Sequence, residues 1–131
     1  MEQLILAAKQ ARQASRKLGV LSTKVKNEII CSIADGLVEK AEEILSANAI
    51  DIKNAEEAGL KKSFIDRLRL SEARIMDIAA ALREVAALPD PIGEIVGGTK
   101  RPNGLVITKK RVPLGVIGII FEARPNVTAD A

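Results

Sequence analysis

The fold is decided by the stretch from Arg111 to Ala131, which reads RVPLGVIGIIFEARPNVTADA. Its apolar run from Val116 to Phe121, interrupted only by Gly118, is short and rich in β-branched residues, which favours a strand over a helix. A strand that is apolar on both faces is typical of a parallel sheet covered by helices on both sides. The polar residues that follow predict a loop, and Thr128 predicts the N-cap of a helix. We therefore expect the opening strand, loop and helix of a nucleotide-binding α/β domain.

That strand predicts partners that this sequence does not supply. A buried parallel strand has hydrogen-bonded neighbours on both edges, and parallel neighbours are joined by crossover connections of a dozen or more residues. The sequence ends at Ala131, only ten residues after Phe121. We therefore expect a truncated domain whose remaining strands come from a continuation of the chain or from another chain.

The composition excludes several kinds of site from this stretch. The chain contains one cysteine and no histidine, which excludes disulfide frameworks, Cys/His zinc sites and Ser-His or Cys-His catalysis here. The apolar run at the N-terminus is too short for a signal peptide, and no segment approaches the roughly 18 apolar residues of a membrane span. We expect a cytoplasmic protein without a metal site and without a membrane partner.

Charge is unevenly distributed along the chain. No acidic residue lies between Glu94 and Glu122. The basic residues of that interval are Lys100, Arg101, Lys109, Lys110 and Arg111. Such a patch attracts phosphate-bearing ligands or is simply the solvated face of a hairpin, and the sequence leaves both readings open. Nucleic-acid binding is disfavoured because aromatic residues, which stack on bases, make up only 2% of the chain.

Residues 1–92 predict a helical portion. The first helix is expected from Gln3 to Leu18, with Gly19 as its stop. A second helical region is expected from Ser22 or Thr23 to Gly59, because one apolar stripe continues through it, with a weak point or a break at Gly36.

Two serines predict further helix starts. Ser63 has the spacing of a capping box with Asp66 and predicts a short helix that ends near Arg69. Ser71 predicts the N-cap of another helix, and Pro89 and Pro91 predict its end. All of these helices are expected to be packing scaffold rather than catalytic elements.

Residues 93–112 predict a β-hairpin. Its strands are expected from Gly93 to Arg101 and from Leu105 to Val112, joined by Pro102-Asn103-Gly104, because Asn-Gly is the strongest short hairpin signal. The apolar residues of the second strand, which predict one half-buried face, are Leu105, Ile107 and Val112. The unpaired edge of such a hairpin favours association with another chain.

Three segments carry a resemblance to a known family. Residues Val112–Thr128, VPLGVIGIIFEARPNVT, resemble the signature of the gamma-glutamyl phosphate reductases, also called glutamate-5-semialdehyde dehydrogenases, of the aldehyde dehydrogenase superfamily. The similarity extends through the whole chain and includes Ala86–Pro91 and Gly97–Leu105. A match of that length is far more specific than a short motif.

The resemblance implies an α/β fold in three parts. Residues 1–92 would be the helical part of the cofactor-binding domain, and 93–112 a hairpin that is a candidate oligomerisation arm. Residues 113–131 would be the first strand of a Rossmann-like cofactor domain of aldehyde dehydrogenase type, the active-site loop and the start of a helix. The catalytic domain would be absent from this chain.

The same resemblance implies a reaction. A cysteine thiolate would attack L-glutamyl 5-phosphate, phosphate would leave, and hydride transfer from NADPH would give L-glutamate 5-semialdehyde, in proline biosynthesis. Cys31 is the only thiol, but it lies beside Ile30 in a helical segment with no basic cluster, so we expect a small buried hydrophobe instead of a nucleophile. The catalytic cysteine of the family belongs to a later domain. These 131 residues alone are therefore expected to be inactive.

Asn126 is the predicted catalytic residue. It follows the C-terminal end of the predicted strand, where open α/β sheets bind ligands. Its amide is a neutral donor suited to a developing oxyanion, and asparagine is also common as the residue that stabilises its own turn. The resemblance makes Asn126 the counterpart of the asparagine that stabilises the thiohemiacetal oxyanion in the superfamily.

Two further assignments concern substrate and cofactor. Arg124 is predicted to bind an anionic group of the substrate, because arginine pairs bidentately with carboxylates and phosphates. A salt bridge between Arg124 and Glu122 or a residue outside this chain is the open alternative. By resemblance, Ile120, Phe121, Glu122 and Ala123 would lie along NADPH. The glycine spacings match neither G-x-G-x-x-G nor a P-loop.

The resemblance also implies partners. We expect a homo-oligomer and a contact with a glutamate 5-kinase. Two alternatives remain open at this level: another aldehyde or acyl-phosphate dehydrogenase, and a non-catalytic helical interaction module whose hairpin and strand pair with a partner.

Overall fold

The computed structural model describes residues 2–131, which form six helices and one two-stranded sheet. The elements are α1 (Glu2–Leu18), α2 (Thr23–Glu39), α3 (Ala41–Glu57), α4 (Lys62–Leu68), α5 (Glu72–Ala87), β1 (Ile95–Lys100), β2 (Val106–Lys110) and α6 (Val127–Asp130). They separate into two compact units, residues 2–23 with 89–118 and residues 24–88 with 119–131. None of the helices in the described residues has the length and apolar character needed to cross a membrane.

The first unit contains α1 and the hairpin. Helix α1 begins and ends within one residue of the expected bounds, and Gly19 N–H donates to Ser15 O at 2.9 Å beyond its end. Thr23 Oγ1 donates to the Asp90 carboxylate at 3.0 Å, which connects the segment after α1 to the segment that leads into the hairpin. No residue of α1 is buried.

The hairpin forms as expected, but its burial does not. Strands β1 and β2 are antiparallel, with Gly98 opposite Thr108 and a bulge between Ile95 and Gly97. Gly104, at φ +86°, supplies the left-handed residue of the turn. Every residue of both strands is exposed, as are Leu105 and Val112. The expected half-buried face was wrong, because a hairpin buries a face only under a covering layer and the described part of the first unit supplies none.

The second unit contains the core of the protein. Its buried apolar residues are Ala34, Ile52, Ala55, Ile65, Ile75, Ala79 and Ala86. Ile52 and Ala55 of α3 pack with Ile65 of α4, and Leu68 adds a half-buried side chain to this cluster. Helix α5 packs against α3 and α6. Short helices thus bury small aliphatic side chains against one another.

Two helix boundaries differ from expectation. Helix α2 continues through Gly36, and the break comes at Lys40, which is the N-cap of α3. A single glycine costs a helix only about 1 kcal/mol relative to alanine, so packing of the neighbouring Ala34, which is fully buried, outweighs it. Ser63 lies inside α4, whose N-cap is Lys61, and therefore does not cap it.

Of the other two predicted N-caps, one is confirmed and one is wrong. Ser71 caps α5 as expected, because its side chain accepts the Arg74 N–H at 3.3 Å. The predicted cap at Thr128 was wrong: Thr128 lies inside α6, and Asn126 is the N-cap. The chain enters α6 two residues earlier because Pro125 already fixes a turn-like φ there.

The predicted strand from 116 to 121 is not paired in this structure. Residues 111–121 are not part of a strand, and Leu114 and Ile120 are 90% and 103% exposed. A strand exists through its ladder, and among residues 2–131 the only ladder joins β1 to β2. Parallel neighbours for this segment would have to come from residues outside those described.

Candidate functional site

The loop that carries the predicted site residues is held in a constrained conformation. Ala123 has φ +51°, a left-handed conformation that costs a residue with a side chain roughly 1–2 kcal/mol. Arg124 O then accepts the Val127 N–H at 3.0 Å, and Asn126 O accepts the Ala129 N–H at 2.9 Å. The loop therefore reverses direction sharply and enters α6 in a defined orientation. Strained backbone of this kind concentrates at functional sites.

Asn126 lies half-buried at the start of α6. Its side chain does not cap that helix, since Nδ2 donates instead to Oδ2 of Asp130 at 2.7 Å. One of the two amide protons is thereby used, and this contact fixes the side-chain orientation. The second amide proton has no acceptor among the residues described and is available to a ligand.

Arg124 has an exposed side chain that pairs with no carboxylate within residues 2–131, Glu122 included. The internal salt bridge that the sequence left open is therefore absent from the described chain. Arg124 lines a cleft of about 540 Å³. The other lining residues are Asp66, Arg67, Arg69, Leu70, Arg74, Asp77, Ile78, Pro125 and Asn126.

This cleft joins the predicted site to residues that sequence reasoning missed. It brings Arg124 and Asn126 together with three arginines from the α4 end and the α5 start, Arg67, Arg69 and Arg74. The available signal was the density of arginine between 67 and 74, three in eight residues. Nothing in that spacing indicates a partner 50 residues later in the chain, so the juxtaposition is visible only in the fold.

The remaining predicted residues lie elsewhere. Ile120, Phe121 and Glu122 are exposed and Ala123 is half-buried, and none of the four lines the cleft. Cys31 is half-buried in α2 and carries a free thiol. No group of three or more His, Cys, Asp or Glu side chains in the described part of the chain has the geometry to bind a metal ion.

The hairpin patch is solvated in this structure. All five basic residues between Glu94 and Glu122 are exposed, and Arg111 Nε pairs with Glu94 at 2.8 Å. The Arg111 backbone also exchanges hydrogen bonds with Gly93 and Glu94 at the base of the hairpin, at 3.0 and 2.9 Å. Arg111 therefore closes the base of the hairpin.

Comparison with known proteins gives one consistent answer. The chain is 53% identical to the gamma-glutamyl phosphate reductase of Carboxydothermus hydrogenoformans over 131 residues, which is all of this chain and 32% of that protein. It is 57% identical to the reductase of Moorella thermoacetica over 122 residues, 93% of this chain and 29% of that one. The chain matches the N-terminal part of the gamma-glutamyl phosphate reductases. It spans about a third of the length of these curated relatives.

Solved structures agree with the sequence comparison. The crystal structure of gamma-glutamyl phosphate reductase from Thermotoga maritima superposes with a TM-score of 0.93 at 45% identity, over 96% of this chain and 30% of that protein. The reductase from Saccharomyces cerevisiae gives a TM-score of 0.88 at 35% identity, over 94% of this chain and 31% of that one. No protein-family model matches the chain.

Proposed function

We propose that this chain is part of an enzyme that reduces L-glutamyl 5-phosphate to L-glutamate 5-semialdehyde, with release of phosphate, in proline biosynthesis. The observation that carries the proposal is the match over the whole chain, at 53% identity, to a gamma-glutamyl phosphate reductase. The cleft lined by the loop before α6 and by the end of α4 is rich in arginine. Such a cleft suits a substrate that bears phosphate and carboxylate groups.

Asn126 is proposed as the donor to the substrate oxyanion. When a thiolate attacks the acyl carbon, negative charge develops on the carbonyl oxygen, and a neutral amide already fixed in position stabilises it without reorganisation. The bond from Nδ2 to Asp130 at 2.7 Å orients that amide and leaves one proton for the oxyanion. Loss of a single donor of this type costs about 10²- to 10³-fold in kcat.

Arg124 is proposed as a substrate-binding residue. Its guanidinium lines the same cleft as Asn126 and has no carboxylate partner within the described chain. An unpaired guanidinium beside the reacting centre attracts an anionic group and pairs with it bidentately.

The cofactor residues fit a dinucleotide by their chemistry. Ile120 and Phe121 present exposed apolar side chains, against which flat rings pack. The exposed Glu122 carboxylate is an acceptor for a hydroxyl of the nicotinamide ribose, which is free in NADPH. The strained turn at Ala123 carries the chain from this surface toward the cleft residues. We propose that these four residues hold NADPH, which supplies the hydride when bound.

The proposal extends to location and partners. The attacking cysteine would come from a later part of the longer enzyme, so the 131-residue chain alone would not oxidise NADPH. The exposed hairpin edge is proposed as a contact in a homo-oligomer, since unpaired strands favour pairing. A cytoplasmic location is proposed because the chain has a single cysteine, which fits a reducing compartment. A contact with a glutamate 5-kinase is proposed because acyl phosphates hydrolyse readily.

The test uses a joined enzyme, in which these 131 residues replace the matching segment of the Carboxydothermus hydrogenoformans reductase. We expect NADPH oxidation driven by L-glutamyl 5-phosphate, and a loss of kcat of about 100-fold or more for Asn126→Ala. Asn54→Ala, an exposed asparagine on α3, is the matched control. A joined enzyme that folds but reduces only other aldehydes or acyl phosphates would favour the second dehydrogenase class instead.

The exposed hairpin also supports a second candidate, a non-catalytic interaction module. Both strands of the hairpin are exposed along their whole length. In that case the joined enzyme would be inactive, while the 131-residue chain would self-associate through the hairpin. Both candidates predict association through the hairpin, so the activity of the joined enzyme separates them. A chain that sediments as a monomer would count against the interaction module.

A further inference from the structure

The arginine cleft of the second unit contains charges of both signs. Its lining includes four guanidinium groups and two carboxylates, all on exposed side chains. The arginines are Arg67, Arg69, Arg74 and Arg124, and the aspartates are Asp66 and Asp77. Across the described residues, no ion pair joins any of these six side chains to one another or to a third residue. Opposite charges that line one cleft without pairing are available to a ligand that carries both signs.

Two of the arginines are fixed in orientation by backbone carbonyls. Arg74 Nη1 donates to the carbonyl oxygens of Asp66, at 3.3 Å, and Arg69, in a closer contact. Arg67 Nε donates to Ser63 O at 3.1 Å. These bonds use part of each guanidinium and leave the remaining N–H groups and the full positive charge in place. Arg69 and Arg124 have no side-chain hydrogen bond within residues 2–131 and complete the cationic wall.

The backbone on either side of Arg69 is held by hydrogen bonds, although the Arg69 side chain is exposed. Asn48, 5% exposed in α3, donates from Nδ2 to Leu68 O at 2.9 Å and accepts the Leu70 N–H at 2.7 Å. These two bonds clamp the residues on either side of Arg69. A guanidinium that projects from a clamped link between two helices loses less freedom when it binds an anion than one on a mobile loop.

We propose that this cleft binds the α-amino acid end of the substrate, with the α-carboxylate against Arg69 and Arg74 and the α-ammonium against Asp77 or Asp66. The proposal rests on the proposed function, which supplies a substrate with an α-amino acid group at one end and a reacting acyl group at the other. Asn126 lies in the same lining and would meet the reacting end. A volume of about 540 Å³ is within the range of small-ligand sites.

The aspartates decide between this ligand and a phosphate. Arginine alone suits both a carboxylate and a phosphate, but a carboxylate beside a phosphate is repulsive, while beside an ammonium it is attractive. A cleft built only for phosphate gains nothing from Asp66 and Asp77. Their presence among the arginines favours a zwitterionic group.

The first test measures binding to the ¹⁵N-labelled 131-residue chain. The probes are L-glutamate, glutarate, which is the same dicarboxylate without the ammonium, and inorganic phosphate. We expect L-glutamate to shift amide signals in residues 66–78 and 124–126 and to half-saturate at a concentration about threefold or more below that of glutarate. Asp77→Asn together with Asp66→Asn should remove that preference. Glu84→Gln, on the same helix as Asp77 but outside the cleft lining, is the control that should retain it.

The second test measures kinetics of the joined enzyme. Arg69→Ala should raise the KM for L-glutamate 5-semialdehyde in the reverse reaction about tenfold, with a smaller fall in kcat, because it removes a charge-assisted contact made in the ground state as well as the transition state. Arg83→Ala, an arginine of α5 that pairs with Asp35 outside the cleft lining, is the control and should leave KM unchanged.

Failure of this inference differs from failure of the proposed function. If the joined enzyme is active but Arg69→Ala leaves KM unchanged and the double aspartate variant keeps the preference for L-glutamate over glutarate, the cleft does not bind the amino acid end and the reductase assignment stands. If phosphate shifts the same signals while L-glutamate binds no better than glutarate, the cleft is a phosphate site and the inference is overturned. An inactive joined enzyme would count against the proposed function, whereas the binding result for the cleft is read independently.

Discussion

Asn48 Oδ1 accepts the backbone N–H of Leu70 at 2.7 Å, so a buried amide in α3 fixes the link between α4 and α5. The same side chain donates to Leu68 O at 2.9 Å. This buried asparagine therefore satisfies two backbone groups at the link between the two helices. Arg69, which lies between Leu68 and Leu70, lines the arginine cleft. A packing residue thus determines the position of a proposed binding residue.

Asn48→Ala should destabilise the chain by about 2 to 4 kcal/mol, because it leaves a carbonyl and an N–H without partners in a partly buried site. The measurement is urea unfolding followed by far-UV circular dichroism. Asn54→Ala, on an exposed position of the same helix, is the control and should change stability by less than about 0.5 kcal/mol. Equal effects of the two variants would show that the clamp contributes nothing.

Ser71→Ala should cost about 1 kcal/mol, because the Ser71 hydroxyl accepts the Arg74 N–H at the start of α5. Ser63→Ala is the matched comparison, since Ser63 lies within α4 and does not cap it. We expect Ser63→Ala to be within about 0.5 kcal/mol of the parent protein. Thermal unfolding of both variants checks this, and a larger loss for Ser63→Ala would contradict the assigned helix starts.

Two glycine substitutions should change stability in opposite directions. Gly36 lies inside α2, and a methyl group added at its Cα would meet only open space, so Gly36→Ala should stabilise by about 0.5 to 1 kcal/mol. Gly104 also has open space but sits at φ +86°, so Gly104→Ala should destabilise the hairpin by about 1 to 2 kcal/mol. Amide hydrogen exchange in α2 and in the hairpin measures the two effects locally. A gain at Gly104 would mean that its turn is not left-handed.

Asp130 should act as a positioning residue for Asn126. In the joined enzyme, Asp130→Ala removes the acceptor that fixes the Asn126 amide and should lower kcat by about tenfold, less than loss of the amide itself. Asp130→Asn keeps an oxygen acceptor and should restore most of that kcat. Equal losses in both variants, with unchanged folding, would mean that the contact stabilises α6 and does not orient the amide.

Ile75→Ala should destabilise the second unit by about 2 to 4 kcal/mol, because Ile75 is 2% exposed and its loss leaves a cavity between helices. Met76→Ala, the next residue, is 48% exposed and should cost less than about 1 kcal/mol. Urea midpoints compare the two. Similar midpoints would place the core elsewhere in the unit.

The sequence predicted local structure where one residue type dictates the backbone. The helix stop at Gly19, the cap at Ser71 and the Asn103-Gly104 turn all formed as expected, because each depends on groups within a few residues. Of the weak point or break expected at Gly36, the break was wrong, because helix packing outweighs a glycine penalty of about 1 kcal/mol. Local signals fail where tertiary contacts contribute more than the local preference.

The sequence by itself determined where most of the helices lie, the hairpin and the resemblance that the known reductases bear out, because periodicity, capping and turn residues act through neighbours in the chain. Only the tertiary structure decided that Arg124 and Asn126 share a cleft with arginines of α4 and α5, since side chains 50 residues apart meet through helix packing. It also decided that the apolar run at 116–121 stays exposed here. A strand is buried by its neighbours, and an apolar sequence cannot supply them.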